Sequence, residues 1–276
     1  MNNIIEIFSY DFMIKALVVG TLISLCASLV GVSLVLRRNS MIGDGLSHVG
    51  FGAFSIATVL NIAPLEFALP IVMVASFLIL KLNQNSKIHG DSAIALLSAS
   101  SLAIGTFIIS ITDGVSTDIN NYLFGSILSI DNKDLIISII LSIIIILLYI
   151  ISYNKIFAIT FDENFAKVIG IKTEIYNIIF AIICSIVVVL GMRLMGSLLI
   201  SSLIIFPTIS AMQVQKKFKN VVLFSTFISI ISFVTGLILS YNLEAPTGAT
   251  IVIVNLLFFI SQKFISYIKG EMNEHS

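Results

Sequence analysis

Asp44 and His48 stand four positions apart within the stretch Gly43-Asp44-Gly45-Leu46-Ser47-His48. On an α-helix that spacing puts both side chains on one face. A carboxylate oxygen beside an imidazole nitrogen makes half of a site for a first-row divalent metal. A plainer reading of the same pair is an acidic residue that complements the positive end of a helix dipole, with a histidine hydrogen-bonded to it. Two features favour metal chemistry. His48 is the only histidine in an apolar segment, since His89 and His275 lie in polar stretches. Gly43, Gly45, Gly50 and Gly52 lower helix propensity around the pair, as expected where backbone must approach a pathway. One aspartate and one histidine cannot complete a tetrahedral shell, but a twofold homodimer would bring two of each to its axis.

The elements that must hold this pair are membrane spans. Of 276 residues, 58% are hydrophobic and 11% are charged, whereas a soluble domain carries about 25% charged residues. The mean hydropathy is +1.09. Too little charge is present to cover a water-facing surface, so the surrounding solvent is lipid. A helix needs about 20 mostly apolar residues to cross the hydrocarbon. Charge-free intervals place nine such spans at 16–36, 49–65, 67–80, 92–112, 135–154, 175–192, 194–215, 220–243 and 245–262. The interval 67–80 is short and extends back through Ile62 and Ala63.

Basic residues orient the spans. With the first span entering from outside, the inner loops hold Arg37, Arg38, Lys81, Lys87, Lys155, Lys167, Lys172, Lys216, Lys217, Lys219, Lys263 and Lys269. Only Lys15, Lys133 and Arg193 remain outside. That asymmetry is a positive-inside pattern, and it predicts an outer N-terminus and an inner C-terminus. The acidic pair Glu6 and Asp11 stands where a signal peptide would be basic, so the first apolar run reads as a retained span. The segment 16–36 interleaves Gly20, Ser24, Ala27, Ser28 and Gly31, which predicts close, central packing. The segment 135–151 is apolar all round and predicts a lipid-facing helix. Within the inner loop, 157–171 has helical spacing and predicts a short interfacial helix.

Other groups carry weaker signals. Glu66, Asp113, Asp118 and Glu244 fall on the outer side, where they could attract a cation, meet a partner's basic residues, or simply be solvated. Arg193 sits at a span junction and is expected to snorkel. Pro207 removes a backbone bond within its span and, with Gly43 and Gly196, is a candidate hinge or gating position. Cys26 and Cys184 lie in apolar runs and read as small hydrophobes. The chain contains neither the glycine-rich nucleotide loop G-x-x-x-x-G-K-[ST] nor H-E-x-x-H, so active import would need an energy source elsewhere. Its balance of 15 basic and 15 acidic residues gives no reason to expect nucleic acid as a partner.

Four stretches, in order, resemble the membrane permeases of zinc and manganese ABC importers. They are the sequence MIGDGLSH at 41–48 after a basic pair, YLFGS at 122–126, the cytoplasmic D-x-x-x-A-x-x-x-G pattern from Asp162 through Ala166 to Gly170, and the span running from Gly196 through Pro207 to Ala211. The resemblance implies an all-α polytopic permease of the type II ABC importer kind, one transmembrane domain over 1–276, in the cell membrane. It implies a transport subunit and not an enzyme, paired with a second copy of itself. Each copy would rest on a cytoplasmic ABC ATPase and receive metal from an extracellular solute-binding protein. Asp44 and His48 would line or gate the pathway. The segment 155–172, with Asp162, Glu163, Phe165, Ala166 and Gly170, would be the coupling helix seated on the ATPase. No permanent cofactor is implied, and the transported divalent metal is the substrate. Two positions depart from the family's pattern: Gly45 stands where Ala or Thr is common, and VGFG at 49–52 replaces a pattern associated with manganese, while the stretch Ser47-His48-Val49 leans toward zinc as the cargo. Manganese or iron import by the same family, or a gradient-driven secondary metal carrier, are the alternatives. An intramembrane metalloenzyme lacks a third ligand and a general base.

Overall fold

The apolar segments of the sequence become helices because lipid offers no partner to an unpaired backbone group, and a helix satisfies its own. A computed structural model describes residues 10–85, 90–112, 125, 130 and 132–274. Among these it contains ten helices and no strand: α1 (Asp11–Leu36), α2 (Met41–Val59), α3 (Pro64–Asn85), α4 (Gly90–Ser110), α5 (Asn132–Phe161), α6 (Glu163–Val168), α7 (Thr173–Met195), α8 (Ser197–Val214), α9 (Phe218–Leu243) and α10 (Thr247–Glu274). Seven of these, α1, α4, α5 and α7–α10, are long and apolar enough to cross a membrane. The two others expected as spans are α2 and α3. The apolar part of α3 is confined to Pro64–Ile79. The 19 residues of α2 include Asp44, His48 and four glycines, but α2 is enclosed by α3, α4, α7 and α8 and has little lipid to face.

Of the seven helices of membrane length, the innermost are α7 and α1, with 78% and 67% of their most apolar stretch buried. The small residues of α1 do what their spacing predicts. Gly31 lies against the Ile204 carbonyl of α8, and Gly20 against the Phe233 ring of α9. Ser28 Oγ donates to Thr226 Oγ1 at 3.1 Å, and Ser229 Oγ donates to the Ser24 carbonyl at 2.8 Å. Only 28% of the corresponding stretch of α5 is buried, in line with a lipid-facing helix.

Two polar clusters mark the ends of the bundle. At one end Arg37, following α1, meets Thr160 of α5 and Asn177 of α7. At the other, Arg193 of α7 pairs with Asp134 of α5. The helix expected over 157–171 is divided. Helix α5 continues to Phe161 because its last turns pack on Phe218 at the start of α9, with ring centroids 5.6, 5.1 and 6.0 Å away for Tyr153, Phe157 and Phe161. The separate helix α6 then spans six residues.

Candidate functional site

Asp44 lies in the first turn of α2, where an acidic side chain suits the helix dipole. One turn later His48 stands on the same face, with Nε2 3.7 Å from Asp44 Oδ2. Both remain accessible, the aspartate 40% exposed and the histidine 25%, although most of α2 is buried. A third side chain joins them. Ser201 Oγ, from the first turns of α8, lies 3.1 Å from both Asp44 Oδ1 and the Ser197 carbonyl oxygen and can donate its single proton to either. The serine leaves Oδ2 turned toward the imidazole and orients the carboxylate, as groups around metal ligands commonly do. The Nδ1 atom of His48 is buried and finds no hydrogen-bond partner among the described residues.

Sequence spacing identifies Asp44 and His48 but not Ser201, which looks like any other small residue of an apolar span. Among the described residues no group of three or more His, Cys, Asp or Glu is placed to hold a metal ion. One chain therefore offers a carboxylate and an imidazole, half of a coordination shell. Glu66 is exposed in the first turn of α3, and Glu244 closes α9 in a left-handed conformation (φ 51°). Asp113, Asp118 and nearly all of 113–130 lie outside the described residues.

The glycines near the pair have a different purpose from the one their helix propensity suggests. Helix α2 is unbroken through all four. A Cβ on Gly45 would meet Ile94 Cγ2 of α4 at 2.5 Å, and one on Gly52 would meet the Ser101 carbonyl oxygen of α4 at 2.8 Å. One on Gly43 would meet Ile204 Cδ1 of α8 at 2.9 Å. The missing side chains let α4 and α8 close on α2.

At the end of the molecule marked by Arg37, the D-x-x-x-A-x-x-x-G pattern becomes a complete small helix. The Asp162 carboxylate caps α6, accepting from the Phe165 amide at 2.9 Å. Ala166 is fully buried. Gly170 adopts φ +86° with nothing near an added Cβ, so its role is conformational. The Ile171 amide reaches the Ala166 carbonyl and the Gly170 amide that of Lys167, a Schellman ending that needs the left-handed residue. Glu163 pairs with Lys167 at 3.2 Å. Phe165, Val168 and Ile169 project outward as an exposed apolar patch.

Gly196 forms the elbow between α7 and α8 at φ 87° and ψ 160°, a conformation open essentially to glycine alone. Pro207 is buried inside α8, which continues past it. Arg193 has a partner that its sequence position does not reveal. Its Nη2 lies 2.8 and 3.1 Å from the two oxygens of Asp134, because α5 brings that buried carboxylate within reach. Of the YLFGS stretch, Gly125 is described. At φ +79° its Cα packs on the Met195 backbone so closely that a Cβ would collide.

Comparison with known proteins bears on this arrangement. The ABC 3 transport family matches residues 9–266. The chain is 30% identical over 257 residues, 93% of its length, to the manganese import system permease protein ScaB of Streptococcus gordonii, of which 92% is covered. It is 28% identical to a Haemophilus influenzae protein named "Probable iron transport system membrane protein", covering 94% of this chain and 92% of that one. Among solved structures, PsaBC from Streptococcus pneumoniae in complex with Fab superposes with a TM-score of 0.84 at 27% identity, covering 94% of this chain and 95% of that one.

Proposed function

Because the chain belongs to the ABC 3 transport family, we propose that it is the permease subunit of an ABC importer that carries manganese across the cell membrane. It is a multi-pass membrane protein and a transport component, not an enzyme. The observation that carries the reading is the accessible Asp44–His48 pair on an otherwise enclosed helix. Manganese replaces zinc as the favoured cargo because the similar proteins named for a metal above are named for manganese and iron. Membership in an ATP-driven family displaces the gradient-driven carrier.

The remaining parts of this reading concern assembly and orientation. A second copy of the chain supplies the other half of the coordination shell, since two donors come from one. The end bearing Arg37, Lys155, Lys167 and Lys172 faces the cytoplasm, so that α1 enters from outside. There α6 offers Phe165, Val168 and Ile169 to a cytoplasmic ABC ATPase subunit, with Asp162, Ala166 and Gly170 holding its shape. An extracellular solute-binding protein delivers the metal to the opposite face. Gly43 sets the α2–α8 contact, while Gly196 and Pro207 are the positions at which α8 turns or bends as the pathway opens.

The test is Mn²⁺ uptake and Mn²⁺-dependent ATP hydrolysis by the permease–ATPase complex in liposomes. Asp44→Ala and His48→Ala abolish uptake on this reading. Ser201→Ala keeps the ligands but loses their orientation, weakening metal affinity by about 10–100-fold. Uptake that survives both ligand substitutions refutes the site.

A further inference from the structure

Resting on the importer reading, we infer that Arg37 is a positioning residue that ties α6 to the start of α2, so that movement of α6 is passed to the helix carrying Asp44 and His48. The guanidinium sits where three elements meet. Its Nε donates to Thr160 Oγ1 in the last turn of α5 at 3.4 Å, and its Nη1 donates to Asn177 Oδ1 of α7 at 3.1 Å. The Phe180 ring lies beneath it, 5.0 Å from the guanidinium carbon to the centroid. Asn177 continues the chain of contacts, its Nδ2 donating to Glu163 Oε1 of α6 at 3.4 Å. A single amide side chain thus joins Arg37 to the helix offered to the ATPase.

The link from Arg37 onward to α2 is stiff. The Arg38 amide reaches the Val35 carbonyl and the Asn39 amide that of Leu34, a Schellman ending with Arg38 in the left-handed region at φ 60°. The Ile42 amide then bonds back to Asn39. No flexible loop separates Arg37 from the first turn of α2, so a shift of the guanidinium moves that turn. The choice of residue also points to a role beyond holding helices together. Among the described residues Arg37 forms hydrogen bonds to neutral groups and no ion pair within 4 Å, Glu163 adding only a longer-range attraction, and a half-buried charge is a costly way to fill this space. Apolar side chains of similar volume usually serve stability as well or better. A planar fork that spans two partners while stacking on an aromatic face suits a geometric connector.

The experiment measures Mn²⁺ uptake and ATP hydrolysis in the same liposomes for the wild-type complex and for Arg37→Ala, Arg37→Lys and Asn177→Ala. The readout is metal moved per ATP hydrolysed, which a merely structural defect leaves unchanged because it lowers both rates together. The expected result is a fall of at least about fivefold in Arg37→Ala and Asn177→Ala, the lower bound of typical coupling between sites. Arg37→Lys restores part of it by keeping the charge without the fork. Asn177→Ala retains the contacts of Arg37 with Thr160 and Phe180 and carries the test if Arg37→Ala fails to assemble. An unchanged ratio beside a wild-type complex that couples overturns this inference alone. A wild-type complex with no metal-dependent hydrolysis overturns the importer reading and this inference with it.

Discussion

Replacing Arg193 with methionine removes the cation that faces Asp134 while keeping much of the side-chain volume. The Asp134 side chain is 9% exposed and that of Arg193 is 30% exposed, and this inequality sets the expected outcome. Removing one partner of a buried pair costs about 3–5 kcal/mol, because the remaining charge is left in a poorly solvated place. Arg193→Met leaves the more buried charge behind, and partial exposure of the pair puts the cost at the lower end, about 3 kcal/mol. Asp134→Leu leaves the arginine, whose longer side chain reaches water, and costs about 1 kcal/mol, as for partly exposed pairs. The double variant costs close to what Asp134→Leu costs alone. For a chain of this size 1 kcal/mol shifts the midpoint by roughly 2 °C, so thermal unfolding in lipid nanodiscs should show drops of about 6 °C and about 2 °C for the two single variants. Equal drops, or an Arg193→Met variant that melts like wild type, would refute the reasoning.

The glycines of α2 should separate by what they touch. Gly52→Ala drives a Cβ against the Ser101 carbonyl, which cannot rotate away, and costs about 1–3 kcal/mol by overpacking. Gly43→Ala meets the flexible tip of Ile204 and is near neutral once the helix-propensity gain of about 1 kcal/mol is included. The reverse order of melting temperatures contradicts this. On α6, Asp162→Ala removes a cap worth about 1 kcal/mol, and Gly170→Ala costs about 1–2 kcal/mol in the left-handed region. Both changes should speed amide hydrogen exchange in α6 and weaken co-purification with the ATPase subunit while α1 and α7 stay protected. Unchanged exchange in α6 rules the caps out.

Much of the membrane architecture is legible in the sequence, because charge cannot be hidden from lipid cheaply. Charge-free intervals mark the seven described helices of membrane length, although the interval 49–65 runs across the junction of α2 and α3, and the small residues of 16–36 mark α1 as central. The Asp162, Ala166 and Gly170 pattern was visible as a string. Only the backbone shows that it encodes a cap, a buried face and a left-handed ending. Apolarity had less to say about partners. Helices α5 and α7 are both apolar all round, yet α5 lies at the periphery and α7 at the centre, since lipid and protein interior reward the same side chains.

The chemistry divides along the same line. The i, i+4 spacing alone determines that Asp44 and His48 share a face, because helix geometry is local. Three facts depend on segments far apart in sequence. Ser201 orients Asp44 from α8, 157 positions away. Asp134 meets Arg193, and Arg37 reaches α5 and α7. No periodicity encodes such pairings, because they arise only when the packing of whole helices brings their polar groups to one depth in the bundle.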